Sequence, residues 1–407
     1  MVSSAGRETS AARNIYAFGL TSFLNDSASE MAYWVLPAFL ASLGAGPAQL
    51  GLIEGVAESV ASFAKLFSGY LTDHISRRKP VVVAGYFAAN AVKPLLAMVT
   101  AWPQILLIRF TDRLAKGVRG APRDVMVAES VPKERLGSAY GLIQSMDSAG
   151  AIAGPLAALV LLARFGIRSV FWAAAVPGAL CVLVALLGIQ EKRRGAAFLA
   201  GPRLGKEIGE LVSPASERVA LPASFYLVLA AVTLFSLGNS SDMFLVLRAQ
   251  NVGIRIALAP LLGLVFNVTY TLASWPAGWV SDHVPRRLVG SAGYVIFAGV
   301  YFVFGRAPSA LAIWIAMAVY GFYYALTQPV LKALVVETVD SRVRGRALGI
   351  YFFVTSAATL AASLVTGELW KYYGAAIPFY FSAGMALLAA GILQVARSRT
   401  TSSVTEN

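Results

Sequence analysis

Along the chain, apolar runs of about 20 residues or more alternate with short polar segments. A helix rises about 1.5 Å per residue, so each run is long enough to cross the roughly 30 Å of a bilayer's hydrocarbon. Six runs fall near 15–43, 48–71, 80–101, 104–128, 137–162 and 170–189, and six more near 222–247, 257–280, 288–304, 308–338, 346–369 and 375–395. Between the two sets, residues 191–218 read EKRRGAAFLAGPRLGKEIGELVSPASER, a charged stretch broken by Gly-Pro and Ser-Pro, with room for one short amphipathic helix over 204–211. The pattern predicts an all-α membrane protein with twelve transmembrane helices in two six-helix bundles. Residues 1–190 form the first bundle, 191–221 a cytoplasmic linker and 222–407 the second bundle.

Composition agrees with that pattern. Hydrophobic residues make up 57% of the chain and charged residues 14%, a balance foreign to water-soluble domains of this length. The net charge of +13 would suggest nucleic acid in a soluble protein. Here most Lys and Arg fall in the termini and the even-to-odd loops (2/3, 4/5, 6/7, 8/9 and 10/11), which marks a cytoplasmic face. Both termini and the linker are therefore placed in the cytoplasm, the lipid bilayer is the partner surface, and no nucleic-acid partner is expected. A multi-pass protein of a bacterial cytoplasmic (inner) membrane, acting as a monomer, fits the short loops. The single cysteine, Cys181, excludes an intramolecular disulfide and a cysteine metal site. The first 14 residues are polar and no small-residue cleavage signature follows, so the N-terminus is expected to be retained.

The two halves are copies. Residues 69–78 read GYLTDHISRR and residues 278–287 read GWVSDHVPRR, sharing Gly-x-x-x-Asp-His-x-x-Arg-Arg at a separation of 209 and holding the only two histidines. Residues 128–141 (AESVPKERLGSAYG) match 336–349 (VETVDSRVRGRALG) at 208, and SASEM at 27–31 matches NSSDM at 239–243, which sets Glu30 over Asp242. A tandem six-plus-six duplication is a design that forms a substrate site between halves near the bilayer midplane. Within the repeat, Gly69 and Gly278 permit close helix approach. Asp73 and Asp282 lie at helix ends where each needs a cationic partner, and the pairs Arg77, Arg78 and Arg286, Arg287 supply donors. Such loops suit a latch whose charge pairs break when the cavity changes sides.

These loops resemble the signature of the major facilitator superfamily, Gly-x-x-x-Asp-[Arg/Lys]-x-Gly-[Arg/Lys]-[Arg/Lys], with His74 and His283 in place of the usual base and Ser76 and Pro285 in place of the second glycine. Arg113, Lys116 and Gly117 resemble the Arg-x-x-x-Gly stretch that the family associates with proton coupling, with Lys116 where a neutral residue is commoner. Gly150, Gly154 and Pro155 are similar to the Gly-x-x-x-Gly-Pro of the family's antiporters, without the later glycine pair. The resemblance implies a secondary transporter working by alternating access.

Ionisable groups at membrane depth are costly, so each is a candidate for function. The first span carries Asn25, Asp26 and Glu30, and the second Glu58. The fourth carries Arg109, Asp112, Arg113 and Lys116, of which Arg109, Asp112 and Lys116 belong to a polar stripe that continues to Arg119 and Arg123. In the second half stand Asp242 and the i, i+4 face of Tyr324, Gln328 and Lys332. Asp26 and Glu30 are the first choices for the proton carrier, tuned by Arg113 and Lys116. Permanent ion pairs, such as Asp112 with Arg109, are the structural alternative. Lys332 aligns with Asp124 in the repeat, so the duplicate positions carry opposite charges and can pair with or oppose each other across the interface.

No catalytic set or phosphate loop is present, and neither a cofactor nor a metal is implied. The sequence favours proton-coupled antiport, the efflux of a small organic compound in exchange for protons. Proton-coupled symport of an organic or inorganic anion is second, and a non-transporting membrane receptor on the same scaffold is third.

Overall fold

The computed structural model describes residues 4–45, 47–191, 220–254, 258–307 and 309–395. Most of the charged linker, residues 192–219, lies outside them, as does its expected short helix. The described residues are helical, with no strand among them. The first half comprises α1 (Ser4–Ser42), α2 (Pro47–His74), α3 (Lys79–Val92), α4 (Trp102–Ser130), α5 (Leu136–Phe165), α6 (Ile167–Ala173) and α7 (Ala175–Gly188). The second comprises α8 (Ala223–Gly238), α9 (Met243–Asn251), α10 (Ala259–His283), α11 (Arg286–Arg306), α12 (Ala310–Thr338), α13 (Arg344–Tyr373) and α14 (Ile377–Val395).

Two helix pairs fill one predicted span each. α6 and α7 share the sixth, parted at Ala174. α8 and α9 share the seventh, which the hydrophobic run presented as one helix over 222–247. It breaks between Gly238 and Met243 because Asn239, Ser240 and Ser241 give the backbone other partners. The Asn239 N–H bonds the Ser236 carbonyl, and the Ser241 N–H bonds Ser363 Oγ at 3.1 Å. In the third span, α3 stops at Val92 and a 3₁₀ turn takes over at Pro94–Met98, since Pro94 has no N–H to donate to the helix ladder.

Seven helical segments among the described residues are by length and composition able to cross a membrane alone. The other predicted spans, formed by α1, α2, α4, α10 and the α8/α9 pair, fall short because they carry polar groups or a break. Large apolar side chains such as Phe67, Leu107, Leu159, Leu187 and Leu272 are exposed. Polar side chains such as Asn25, Arg109, Asp112, Arg119 and Asp124 are buried. This arrangement is inside-out relative to a soluble protein and suits a lipid-facing exterior. The halves meet along two equivalent seams, α2 against α13 and α5 against α10.

Candidate functional site

At one end of the molecule, where both repeat motifs lie, the seams are sealed by glycine. A Cβ on Gly69 would fall 2.5 Å from the Gly345 carbonyl oxygen and 2.5 Å from the Gly349 Cα. One on Gly278 would fall 2.1 Å from the Gly137 carbonyl oxygen. No other residue permits this approach, which brings each motif aspartate to the first turn of a helix in the opposite half. Asp73 accepts from the N–H groups of Gly345 (2.8 Å) and Arg346 (2.6 Å) at the start of α13. Asp282 accepts from the N–H groups of Gly137 and Ser138 (2.7 Å each) and from the Ser138 hydroxyl (2.5 Å) at the start of α5. Both carboxylates thus satisfy orphan N–H groups at the positive end of a helix.

The arginines complete this contact network in a register the sequence match did not predict. Arg78 donates to Glu129 at 2.7 Å and to the Thr72 carbonyl at 3.1 Å. Arg286 donates to Glu337 at 2.5 Å, to Asp282 at 2.8 Å and to the Lys133 carbonyl at 2.8 Å. The working arginine is therefore the second of its pair in the first copy and the first in the second copy. Arg78 and Arg286 are separated by 208, like Glu129 and Glu337, so the second loop is one residue shorter. Arg77, the aligned partner of Arg286, is exposed. Asp73 lies past the end of its predicted span, and burial pushes its carboxyl up from 3.8 to about 6, against the lowering effect of the Arg346 and Gly345 N–H groups.

Inward of these contacts, a cavity of about 580 Å³ lies between the halves. Its wall runs from Tyr140, one turn into α5, to Ser363, nineteen residues or roughly 28 Å along α13 from that helix's motif-side end. Of the predicted site residues, Asn25, Asp26, Lys116, Tyr324, Gln328 and Lys332 line it. Of the two arrangements open to the duplicate positions, they pair: Lys332 Nζ lies 3.9 Å from Asp124 Oδ2, and Arg123 holds the other oxygen at 2.9 Å.

Other predicted residues are elsewhere. Arg109 and Asp112 line a separate small pocket with Lys93 and Tyr33. There Asp112 lies 3.6 Å from Lys93 and 3.7 Å from Arg109, and Lys93 donates to Asn90, which donates to Asn25. This buried chain pins α1, α3 and α4 together, the structural role foreseen as the alternative. Glu30 and Arg113 are absent from the cavity wall, and Glu30 is packed against Gly154 of α5. The Glu58 side chain lies outside the described set. Asp242 sits at the break before α9 and accepts from the Tyr320 hydroxyl at 2.9 Å, also outside the cavity wall.

Sequence reasoning passed over Asp147. It lines the cavity from α5 and accepts from Gln144 at 3.3 Å, while Asp26 accepts from Asn25 at 2.9 Å. Gly150, one turn on from Asp147, is pressed against α1, where a Cβ would lie 2.5 Å from the Phe23 carbonyl and 3.2 Å from the Asp26 Cβ. That contact brings the acids of α1 and α5 to one wall. The signal was available in the glycine pair Gly150 and Gly154, which marks the face of α5 that meets α1.

The Major Facilitator Superfamily model matches residues 18–248 and 227–406. An uncharacterized MFS-type transporter of Methanocaldococcus jannaschii is 33% identical over 369 residues, covering 88% of this chain and 89% of that one. The multidrug resistance protein MdtG of Escherichia fergusonii is 24% identical over 342 residues, 82% of each chain. Among solved structures, the human organic anion transporter MFSD10 superposes with a TM-score of 0.78 at 15% identity, covering 94% of this chain and 99% of that one. Duplicated bundles, two equivalent glycine-sealed seams and a cavity between the halves agree with these matches: the chain is a multi-pass membrane transporter belonging to the major facilitator superfamily.

Proposed function

We propose that this protein is a proton-coupled secondary transporter of small organic compounds, working by alternating access about the central cavity, with Asp26 and Asp147 as the proton-binding pair. The observation that carries the reading is the placement of these two carboxyls, from different helices, on one cavity wall with only neutral amide donors bonded to them. A carboxyl at membrane depth that no bonded cation neutralises is suited to take up a proton and release it when its surroundings change. Glu30 and Arg113 give way to Asp147 and Lys116 because they do not reach the cavity.

In this reading the motif-bearing end is cytoplasmic, together with both termini and the linker between units 1–190 and 222–407. The conformation described is then the outward-facing one, with the inner gate latched. The protein works as a monomer in the cytoplasmic (inner) membrane. The multidrug resistance relative supports the efflux of organic compounds. The organic anion transporter, alike in fold, supports the anion reading, and so does the cavity, whose wall carries Lys65, Lys116, Arg119, Arg123 and Lys332 against Asp26, Asp124 and Asp147. The test is an internal pH dye in liposomes containing the purified protein, with organic anions, cations and neutral compounds added under an imposed pH gradient. A compound that moves protons through the wild type but not through Asp147→Asn supports the reading; proton movement unchanged in Asp147→Asn and Asp26→Asn sinks it.

A further inference from the structure

The cations of the cavity are not equally engaged. Arg123 and Lys332 flank Asp124 and share its carboxylate. Lys116 and Arg119 form no salt bridge among the described residues. Lys116 is exposed to the cavity and forms no hydrogen bond or ion pair within the described residues. Arg119, only 4% exposed, sets its guanidinium over the Tyr86 ring at 4.3 Å and leaves Nη1 buried without a hydrogen-bond partner. The two lie three apart on α4, hence on one face of that helix. A buried donor with no acceptor is costly, and an incoming acceptor relieves it.

The wall contributed by the second half is of another kind. Phe235 stacks on Tyr294 at 4.1 Å between ring centroids and lies 5.4 Å from Tyr323, which is 4.7 Å from Tyr324. All four rings line the cavity. A solute filling this space meets unengaged positive charge on one side and an aromatic surface on the other.

We infer that the substrate is an amphipathic organic anion, its acid group held by Lys116 and Arg119 and its apolar body laid against the Phe235, Tyr294, Tyr323 and Tyr324 wall, and that it moves in the same direction as the proton. The direction follows from linkage and rests on the proton-coupled reading above. Protonating Asp26 or Asp147 removes negative charge from the wall that receives the anion, so each proton strengthens anion binding and the anion strengthens proton binding by the same factor. Ligands that favour each other's binding cross together. A cationic substrate would compete with the proton for the same acids and would be exchanged for it. The second transport reading of the sequence, anion cotransport, thus displaces the first.

The probe is p-toluenesulfonate, whose charge is fixed across the working pH range, compared with benzyltrimethylammonium and benzyl alcohol. Affinity is measured by ligand-induced thermal stabilisation of the full-length protein from pH 8 to pH 6. The sulfonate is expected to bind at least about tenfold more tightly than the ammonium compound, and Lys116→Gln to weaken it by about tenfold, the value of one charge-assisted hydrogen bond, with recovery in Lys116→Arg. Because Lys116 is exposed and unbonded, the Gln variant keeps the fold, which its melting curve without ligand verifies. Sulfonate affinity is expected to rise severalfold on acidification in the wild type and to lose that slope in Asp147→Asn. In liposomes, an inward proton gradient should drive the sulfonate inward. Tighter binding of the ammonium compound, or sulfonate binding indifferent to Lys116→Gln, overturns the anion site. Lys116-dependent binding with no pH slope in the wild type overturns proton coupling and leaves the anion site standing.

Discussion

Replacing Asp282 by Asn should unlatch the motif-bearing face. The carboxylate is 3% exposed and holds three donors of the α5 first turn as well as Arg286. Asn keeps one acceptor oxygen and sets an amide N–H₂ against the remaining donors. Hydrogen bonds to charged groups contribute about 1.5–3 kcal/mol each against about 1 kcal/mol for neutral ones, so losing the charge and one acceptor site costs the closed state about 2–4 kcal/mol. An opening equilibrium would shift roughly thirty- to a thousandfold toward the open side. Asp73→Asn should not open the latch in this way, since burial raises the Asp73 carboxyl to about 6 and so already favours a neutral side chain in the closed state. The assay is a spin-label distance across the latch, with labels on Glu134→Cys and Ser341→Cys, both exposed, in a Cys181→Ser background that removes the only native thiol. Asp282→Asn should populate a longer distance, and more of it than Asp73→Asn. A distance distribution identical to wild type in Asp282→Asn would refute the latch.

Further consequences follow from the same geometry. Gly278→Ala puts a Cβ 2.1 Å from the Gly137 carbonyl oxygen, an overpacking cost of about 1–3 kcal/mol that falls on the closed state alone; the label pair should report opening while the melting temperature stays within a few degrees. The Asp73 carboxyl titrates at about 6 when latched and nearer its ordinary value when open to water. The closed state therefore binds the extra proton, and its share rises as pH falls from about 6 toward 4, with no gain above 6. The label distance should shorten over that window and Asp73→Asn should abolish the change. Asp112→Asn breaks the buried Lys93 and Arg109 contacts and should lower stability by about 3–5 kcal/mol, read as a fall in melting temperature, with proton coupling retained per folded molecule.

The twelve-span plan and the twin motifs were legible because both are written in strong local signals: apolar runs of membrane length, and a ten-residue repeat that contains every histidine of the chain. The latch acids Asp73 and Asp282 could be found from the repeat alone. Their partners could not, because a backbone N–H carries no sequence signature. The one-residue slip that engages Arg78 and Arg286 is equally invisible in a match scored by identity. Within the membrane, helical periodicity says which residues share a face but not which face meets the cavity. Asp26 and Glu30 share a face, yet the wall includes Asp26 and ends short of Glu30. Asp147, a lone acid on an apolar helix, was overlooked because no stripe surrounded it, although Gly150 and Gly154 marked the side on which it counts.

The account stands most directly on the two cavity acids. A protein whose proton sites are removed can still exchange substrate across the membrane at equilibrium, but it can no longer use a gradient. The deciding measurement compares wild type with Asp26→Asn/Asp147→Asn in liposomes, following labelled p-toluenesulfonate once as equilibrium exchange and once as accumulation driven by a pH gradient. The account predicts that the double variant keeps exchange and loses accumulation. Accumulation at the wild-type level in the double variant would contradict it.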